Sequence, residues 1–233
     1  MTAPAPHDAL PAGYSLRTMV ESDHPAVSEI CRIVYPTERP YTEEELAAHQ
    51  ALYPEGQFVA VHDATGAVAG AHFTLVVRML DFHLDDPWDV LTAGGTFRDH
   101  DPVHGHTLYG ADLMVHPGHQ HHGLARALTL ATRGLVQQKR LWRMVGGSRM
   151  PGYGKVAGQV QPDDYIERVK AGQATDPVLT AHLHDGWDVV TAIRGYLPHD
   201  EESAGWAAVI QWVNEDCPPP FGLDLSRVPR RPA

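Results

Sequence analysis

Apolar and polar residues along this chain fall into short segments, each about the length of one strand or helix, and the clearest run spans Leu108 to Gln138. Leu108 to Val115 is an apolar run stopped by His116-Pro117-Gly118; beyond it Leu124, Leu128, Ala131 and Leu135 recur at helical spacing on one face. The pattern predicts strand, tight loop, helix. Upstream, Tyr14 to Thr18 reads as a first strand, and Ser22 or Asp23 caps a helix carrying Val27, Ile30, Cys31 and Val34. Pro36 and Pro40 break that helix. Thr42 and Glu45 then form the T-x-x-E capping box of a second one running towards Leu52. Gln57 to His62 and Ala67 to Val77 are β-like runs joined by Asp63-Ala64-Thr65-Gly66, so the sheet is predicted to begin antiparallel.

Residues 81 to 106 are polar, glycine-containing and irregular. A connection of that length inside a domain is commonly functional, and it is expected to wall the substrate site, anchored by Trp88 and Phe97. After the central helix, Trp142 to Gly147 reads as another strand, parallel to the one before it. Asp163 or Asp164 is placed to cap a helix through Val169 that ends near Gly172, and Asp176-Pro177 starts a further helix that Gly186 stops. Trp187 to Leu197 and Trp206 to Val213 complete seven predicted strands. This mixture is an α/β (α+β) arrangement layered around one sheet, not a helical bundle or an all-β sandwich. Residues 1–13 are expected to be a loose lead-in, 14–213 the folded domain, and 214–233 a Pro-rich extended tail.

At 233 residues the chain is long enough for a sizeable core, and its 43% hydrophobic and 20% charged residues suit an ordinary globular protein. It has no run of about 18 apolar residues, so no membrane partner is expected. The segment MTAPAPHDALPAGY lacks the basic and apolar regions of a signal peptide, and the cytoplasm is the expected location. A formal charge of −11 argues against nucleic acid as a partner and suits a cationic one. Cys31 and Cys217 offer no disulfide framework and no paired metal ligands.

Between the central strand and helix, Gln120-His121-His122-Gly123-Leu124-Ala125 puts small residues three and five steps after Gln120. The first N–H groups of a helix have no intrahelical partner, and small residues let a phosphate approach them. The segment resembles Q/R-x-x-G-x-G/A, the acyl-CoA pyrophosphate loop of the GNAT acyltransferase superfamily, with Ala125 as the permitted variant at its sixth position. The V-x-P ending of the preceding strand and the order of the elements are also similar to that family, so the resemblance covers roughly residues 14–213. LYGADLMVHP, GGSRMPGYGK, AGQATDPVLTAHLHDGW and GYLPHDEESAGWAAVIQW together are similar to the acetyltransferase domain that precedes a carbon–nitrogen hydrolase module in some bacterial proteins. No hydrolase module is expected, so none of that chemistry is carried over.

The resemblance implies a fold and a set of roles. The sheet is expected to be GNAT-like and mixed, splayed at its central parallel strands. Pantetheine would pair with the backbone of Leu113, Met114 and Val115, and the pyrophosphate with N–H groups of Gln120, His121, His122, Gly123, Leu124 and Ala125, with Arg126 adding charge. Acyl transfer to an amine needs a neutral nucleophile, yet an amine of pKa ~10.4 is neutral only about once in a few thousand molecules at pH 7. The family often uses an acid on the central strand as base; the matching residue is Asp112, for which a purely structural role is the alternative. Where the family places a thiolate-protonating tyrosine, four residues before a G-F, this chain has His182 before Gly186-Trp187, a departure that leaves Tyr109, Tyr153 and Tyr165 as further candidates. His116, His119, His121 and His122 share a loop already assigned to phosphate, so no metal is expected. The expected activity is acyl-CoA-dependent N-acetylation of a small-molecule or peptide amine by direct attack in a ternary complex, with acetyl-CoA as co-substrate. A homodimer is compatible with it. The alternative is a non-catalytic acyl-CoA sensor or scaffold, and a nucleotide-binding enzyme is disfavoured because neither G-K-S/T nor an early G-x-G-x-x-G is present.

Overall fold

The computed structural model describes residues 10–78, 82–83 and 86–220. Most of the expected lead-in (1–9), residues 81, 84 and 85 of the expected long loop, and the end of the expected tail (221–233) lie outside the described residues.

The fold is built outward from β3 (Ala67–Val77), whose last nine residues are all buried. Its pleat sends Ala71, Phe73, Leu75 and Val77 to one face and Val76 to the other, where His72 and Thr74 are buried beside it. On the first face it meets Val27, Ile30 and Cys31 of α1 (His24–Val34) and Leu46 of α2 (Glu43–Leu52). On the second, α4 (Leu124–Gln138) packs Leu135 and Val136 near Val76, and Leu124 and Leu128 against Ala60 and Ala69. The sheet is therefore a middle layer between helices. Its other strands are β1 (Tyr14–Thr18), β2 (Gln57–His62), β4 (Thr107–Val115), β5 (Arg143–Arg149), β6 (Asp188–Arg194) and β7 (Trp206–Val213). The order is β1-β2-β3-β4-β5-β7-β6, antiparallel throughout except for the parallel pair β4–β5.

That parallel pair is short. Thr107 to Gly110 lies against Arg143 to Gly146, and there the pairing stops, while β4 stays on β3 to Val115 and β5 stays on β7 to Arg149. A register shift between β3 and β4 makes Ala111 an extra residue, since Phe73 faces Asp112 and Thr74 faces Gly110. Strict alternation from Leu108 and Gly110 would have placed Asp112 on the α4 side. The bulge turns it to the α1–α2 side, where Tyr109, Ala111 and Met114 also pack.

The predicted strands and principal helices are present, with three differences. The segment 81–106 holds a short helix, α3 (Trp88–Leu91), and buries Leu91 and Phe97 in the α1–α2 core, so it packs more than irregular polarity suggested. α5 (Pro162–Lys170) starts with Pro162 after Gln161; Asp163 and Asp164 sit in its first turn instead of capping it, because proline already supplies the first helical φ. On α4 the seam passes through buried Thr132 while Ala131 is half-buried, and Thr132 Oγ1 is satisfied by the Thr129 carbonyl at 2.8 Å. Thr42 and Glu45 form the expected box: Glu45 N donates to Thr42 Oγ1 at 3.2 Å and Thr42 N to Glu45 Oε2 at 2.9 Å. Asp176 receives the N–H groups of Val178 and Leu179 at 3.0 and 2.9 Å ahead of α6 (Leu179–His184). Among the described residues, no helix is long and apolar enough to cross a membrane.

Where β4 and β5 part, Gly147 lets the Tyr196 ring lie against the strand; a Cβ there would stand 2.1 Å from the ring. Gly147→Ala is expected to destabilise the protein by about 1–3 kcal/mol through displacement of that ring. Urea unfolding checks this as a lowered midpoint at unchanged m-value.

Candidate active site

Past Gly110, the edge of β4 opposite β3 has no partner strand, so Leu113, Met114 and Val115 offer backbone groups to the gap. The gap leads to the loop predicted to hold pyrophosphate. His116 Nδ1 accepts from Gly118 N at 3.0 Å, a 3-10 turn covers Pro117–His119, and Gln120 Nε2 reaches back to the Val115 carbonyl at 3.3 Å. His121 (φ 64°) and Gly123 (φ 82°) are left-handed, and the second is the residue from which α4 starts. No side chain caps α4 there, and the space beside Gly123 is open. The N–H groups from Gln120 to Ala125 therefore border an uncapped helix start, suited to an anion.

Arg126 does not stand free beside this loop. It is paired with Asp185 at the end of α6, and Arg133 Nη1 donates to the Asp185 carbonyl at 2.7 Å, which ties α4 to α6. The same tether sets His182. Its Nδ1 shares a hydrogen bond of 2.9 Å with Ser148 Oγ, and its ring meets Trp187 edge-on at 5.9 Å. Burial pushes the imidazole down to about 4, so the ring is neutral at pH 7. Ser148 carried no role in the sequence, since nothing local links it to a residue 34 positions away.

Asp112 lies on the other face. The Tyr41 hydroxyl donates to its Oδ2, and burial raises the carboxyl to about 7 against the opposing pull of that hydrogen bond. Among the described residues Tyr41 is its only hydrogen-bond partner, and no cation pairs with it. Around it stand Cys31, Tyr35, Tyr109 and Tyr196, each with its acidity suppressed first by burial and also by the Asp112 charge. The Tyr109 and Tyr196 hydroxyls are hydrogen-bonded at 2.8 Å. Arg149, 6.0 Å from the Tyr35 ring, is taken by Asp200 at 2.7 and 2.6 Å and by Glu202 at 2.9 Å. Tyr109 thus belongs to this cluster, whereas the tilted ring pair of Tyr153 and Tyr165 lies in the other core, their hydroxyls donating to the Val160 carbonyl and Asp176.

The loop histidines form a surface group with Tyr14. Tyr14 Oη and His119 Nδ1 are 2.9 Å apart, and His62 and His116 lie 5.3 and 5.7 Å from the His119 ring. Among the described residues, no three His, Cys, Asp or Glu side chains are arranged to hold a metal. A cavity of about 680 Å³ is lined by Lys155, Tyr165, Thr175, Glu201 and Glu202 and by none of the groups facing Asp112.

No known protein-family profile matches the sequence. Two proteins of Bacillus subtilis (strain 168) are similar to it. The uncharacterized N-acetyltransferase YkwB is 33% identical over 180 residues, 77% of this chain and 78% of its own length. The probable hydrolase YhcX is 29% identical over 201 residues, 86% of this chain but only 39% of its own length, so the chain spans well under half of that relative. Among solved structures, the GNAT-like decarboxylase GphF in complex with isobutyryl-CoA has the same fold, with a TM-score of 0.67 at 23% identity, covering 85% of this chain and 98% of that one.

An acid held near 7 in the folded chain and near 3.8 when unfolded binds an extra proton in the folded state between those values. Its contribution is full below about pH 4 and is lost as pH rises through about 7. Asp112→Asn is therefore expected to be more stable than the parent at pH 8, by roughly 1–4 kcal/mol, with the difference shrinking towards pH 4. Urea titrations of both proteins across that range measure it.

Proposed function

This chain belongs to the GNAT superfamily of N-acetyltransferases, and on that premise we propose that it transfers an acetyl group from acetyl-CoA to a primary amine that arrives as an ammonium ion. The observation that carries this reading is Asp112: a largely buried carboxylate beside the strand gap, with a hydroxyl donor and, among the described residues, no counter-cation. A buried charge without an opposite partner is costly, so the site favours a ligand that brings a positive one. The chain's net charge of −11 favours approach of such a ligand. The acceptor is a small molecule or the amino group of a peptide.

In this reading the gap-facing backbone of Leu113, Met114 and Val115 holds the pantetheine arm, and the N–H groups of Gln120 to Ala125 hold the pyrophosphate. Room beside Gly123 and the absence of a side-chain cap are what fit a phosphate there. Arg126 adds its field from the Asp185 pair. Acyl-CoA supplies the activated thioester. Asp112 removes one proton from the ammonium, the amine lone pair forms the new C–N bond at the thioester carbonyl, and the C–S bond breaks. The second nitrogen proton, made acidic by that bond, ends on sulfur.

His182 is the candidate for relaying this second proton. A neutral ring accepts a proton at one nitrogen and releases one at the other, and Ser148 fixes which nitrogen faces the strand. No activated serine or cysteine nucleophile is needed: the Cys31 thiol is buried and pushed up to about 12.

Calorimetry with acetyl-CoA, CoA and ATP, followed by thiol release over a panel of primary amines, tests the proposal. Micromolar binding of the CoA species alone is expected, and its absence would end the reading. Asp112→Asn should lose about 10²-fold or more in turnover at unchanged acetyl-CoA affinity. A parent that binds acetyl-CoA but acetylates no amine would leave the sensor reading instead. In the parent, kcat/KM should rise with pH through about 7 as Asp112 ionises. His182→Ala should lower kcat by about 10-fold or more with little change in KM; an unchanged kcat would remove His182 from the proton path.

A further inference from the structure

Tyr41 sits in the connection between α1 and α2, is 5% exposed, and is held from several sides. Its ring lies edge-on to His49 at 5.2 Å and to Phe73 at 5.7 Å and is tilted against Trp88 at 6.3 Å, while its carbonyl accepts from Ser28 Oγ at 2.8 Å. Those neighbours are themselves fixed. Trp88 Nε1 donates to the carbonyl of Ala111, the bulge residue that aims Asp112, at 3.1 Å. His49 stacks on Phe97 with ring centres 3.7 Å apart and bonds the Gly95 carbonyl through Nε2 at 2.6 Å. Burial holds the His49 ring down to about 4, so it stays neutral beside Tyr41 at pH 7.

Among the described residues, five titratable groups face Asp112: Cys31 from α1, Tyr35 from its end, Tyr41, Tyr109 on β4 and Tyr196 after β6. All are acids that stay neutral when Asp112 ionises. None supplies a cation, and the Arg149 guanidinium is committed to Asp200 and Glu202. Among the described residues the ionised carboxylate therefore has one side-chain donor, and the packing around Tyr41 leaves its hydroxyl at Oδ2.

We infer that Tyr41 is the positioning residue of the proton-accepting step: its hydroxyl holds Asp112 Oδ2, leaves Oδ1 to take the ammonium proton, and sets the pH at which Asp112 gives that proton up. The inference rests on the reading of Asp112 as base. An N–H bond of the acceptor breaks as an O–H bond forms at Oδ1, and Tyr41 keeps its own proton throughout. Because the hydroxyl favours the charged form of the acid, losing it moves the titration upward and strengthening it moves the titration downward.

The test uses the full chain with carboxyl-13C aspartate, the Asp112 resonance being assigned by its loss in Asp112→Asn. Tyr41→Phe should raise the Asp112 midpoint by about one pH unit, and the pH profile of kcat/KM with acetyl-CoA and the amine panel should move with it. A 3-fluorotyrosine incorporated only at position 41 keeps the ring and makes the hydroxyl a stronger donor, so the midpoint should fall; this arm decides the matter if Tyr41→Phe does not fold. An Asp112 midpoint that stays put, or moves the same way in both proteins, overturns the inference. Full turnover in Asp112→Asn overturns the base assignment separately, whatever Tyr41 does to the midpoint.

Discussion

The site depends on a break in the sheet's hydrogen bonding. Parallel pairing of β4 with β5 ends after four residue pairs, at Gly110 and Gly146, while each strand keeps its other neighbour. Free strand edges buried in a core are costly, because each unpaired N–H or C=O forfeits water without gaining a partner. Here they face a gap. In the proposed function an extended amide-bearing chain such as pantetheine would satisfy such edges in the way a strand does, and the uncapped start of α4 would stand at the end of its path.

The same break separates two chemical environments on the two faces of the sheet. On the α1–α2 face the Ala111 bulge presents Asp112 to phenols and a thiol, an environment of hydroxyl dipoles without cations. Burial there raises the carboxyl to about 7 against the pull of the Tyr41 hydroxyl, a value at which an acid both takes and releases protons readily. On the α4–α6 face, Ser148 and His182 meet under the Arg126–Asp185 tether, and burial keeps the imidazole uncharged. Two titratable groups on opposite faces of one gap have thus been shifted in opposite senses with respect to charge: the acid towards neutrality from the anionic side, the base towards neutrality from the cationic side.

The segment before β4 has a role that its polarity conceals. Trp88, Leu91 and Phe97 carry it into the core, and its contacts run to His49, Tyr41 and the Ala111 carbonyl. It buttresses the residues around Asp112 from behind the α1–α2 connection. Apolar anchors spaced irregularly along a polar stretch give no period to read, which is why only Trp88 and Phe97 stood out in the sequence.

Strand and helix placement was legible from residue pattern alone, since Tyr14–Thr18, Gln57–His62, Ala67–Val77 and Trp206–Val213 form the predicted strands and Thr42 with Glu45 the predicted cap. Local periodicity and capping chemistry determine these, as does the loop Gln120 to Ala125, whose small residues and helix start are neighbours in the chain. The family resemblance also singled out Asp112 and His182. It did not determine which face Asp112 occupies, because one bulged residue reverses the alternation, nor that Tyr41 and Ser148 are the partners of those two groups. The charge state of His182 was equally out of reach. Burial, the pairing of Arg126 and Arg149 with distant acids, and contacts across 71 and 34 positions of chain arise only when the sheet and its two helical layers come together.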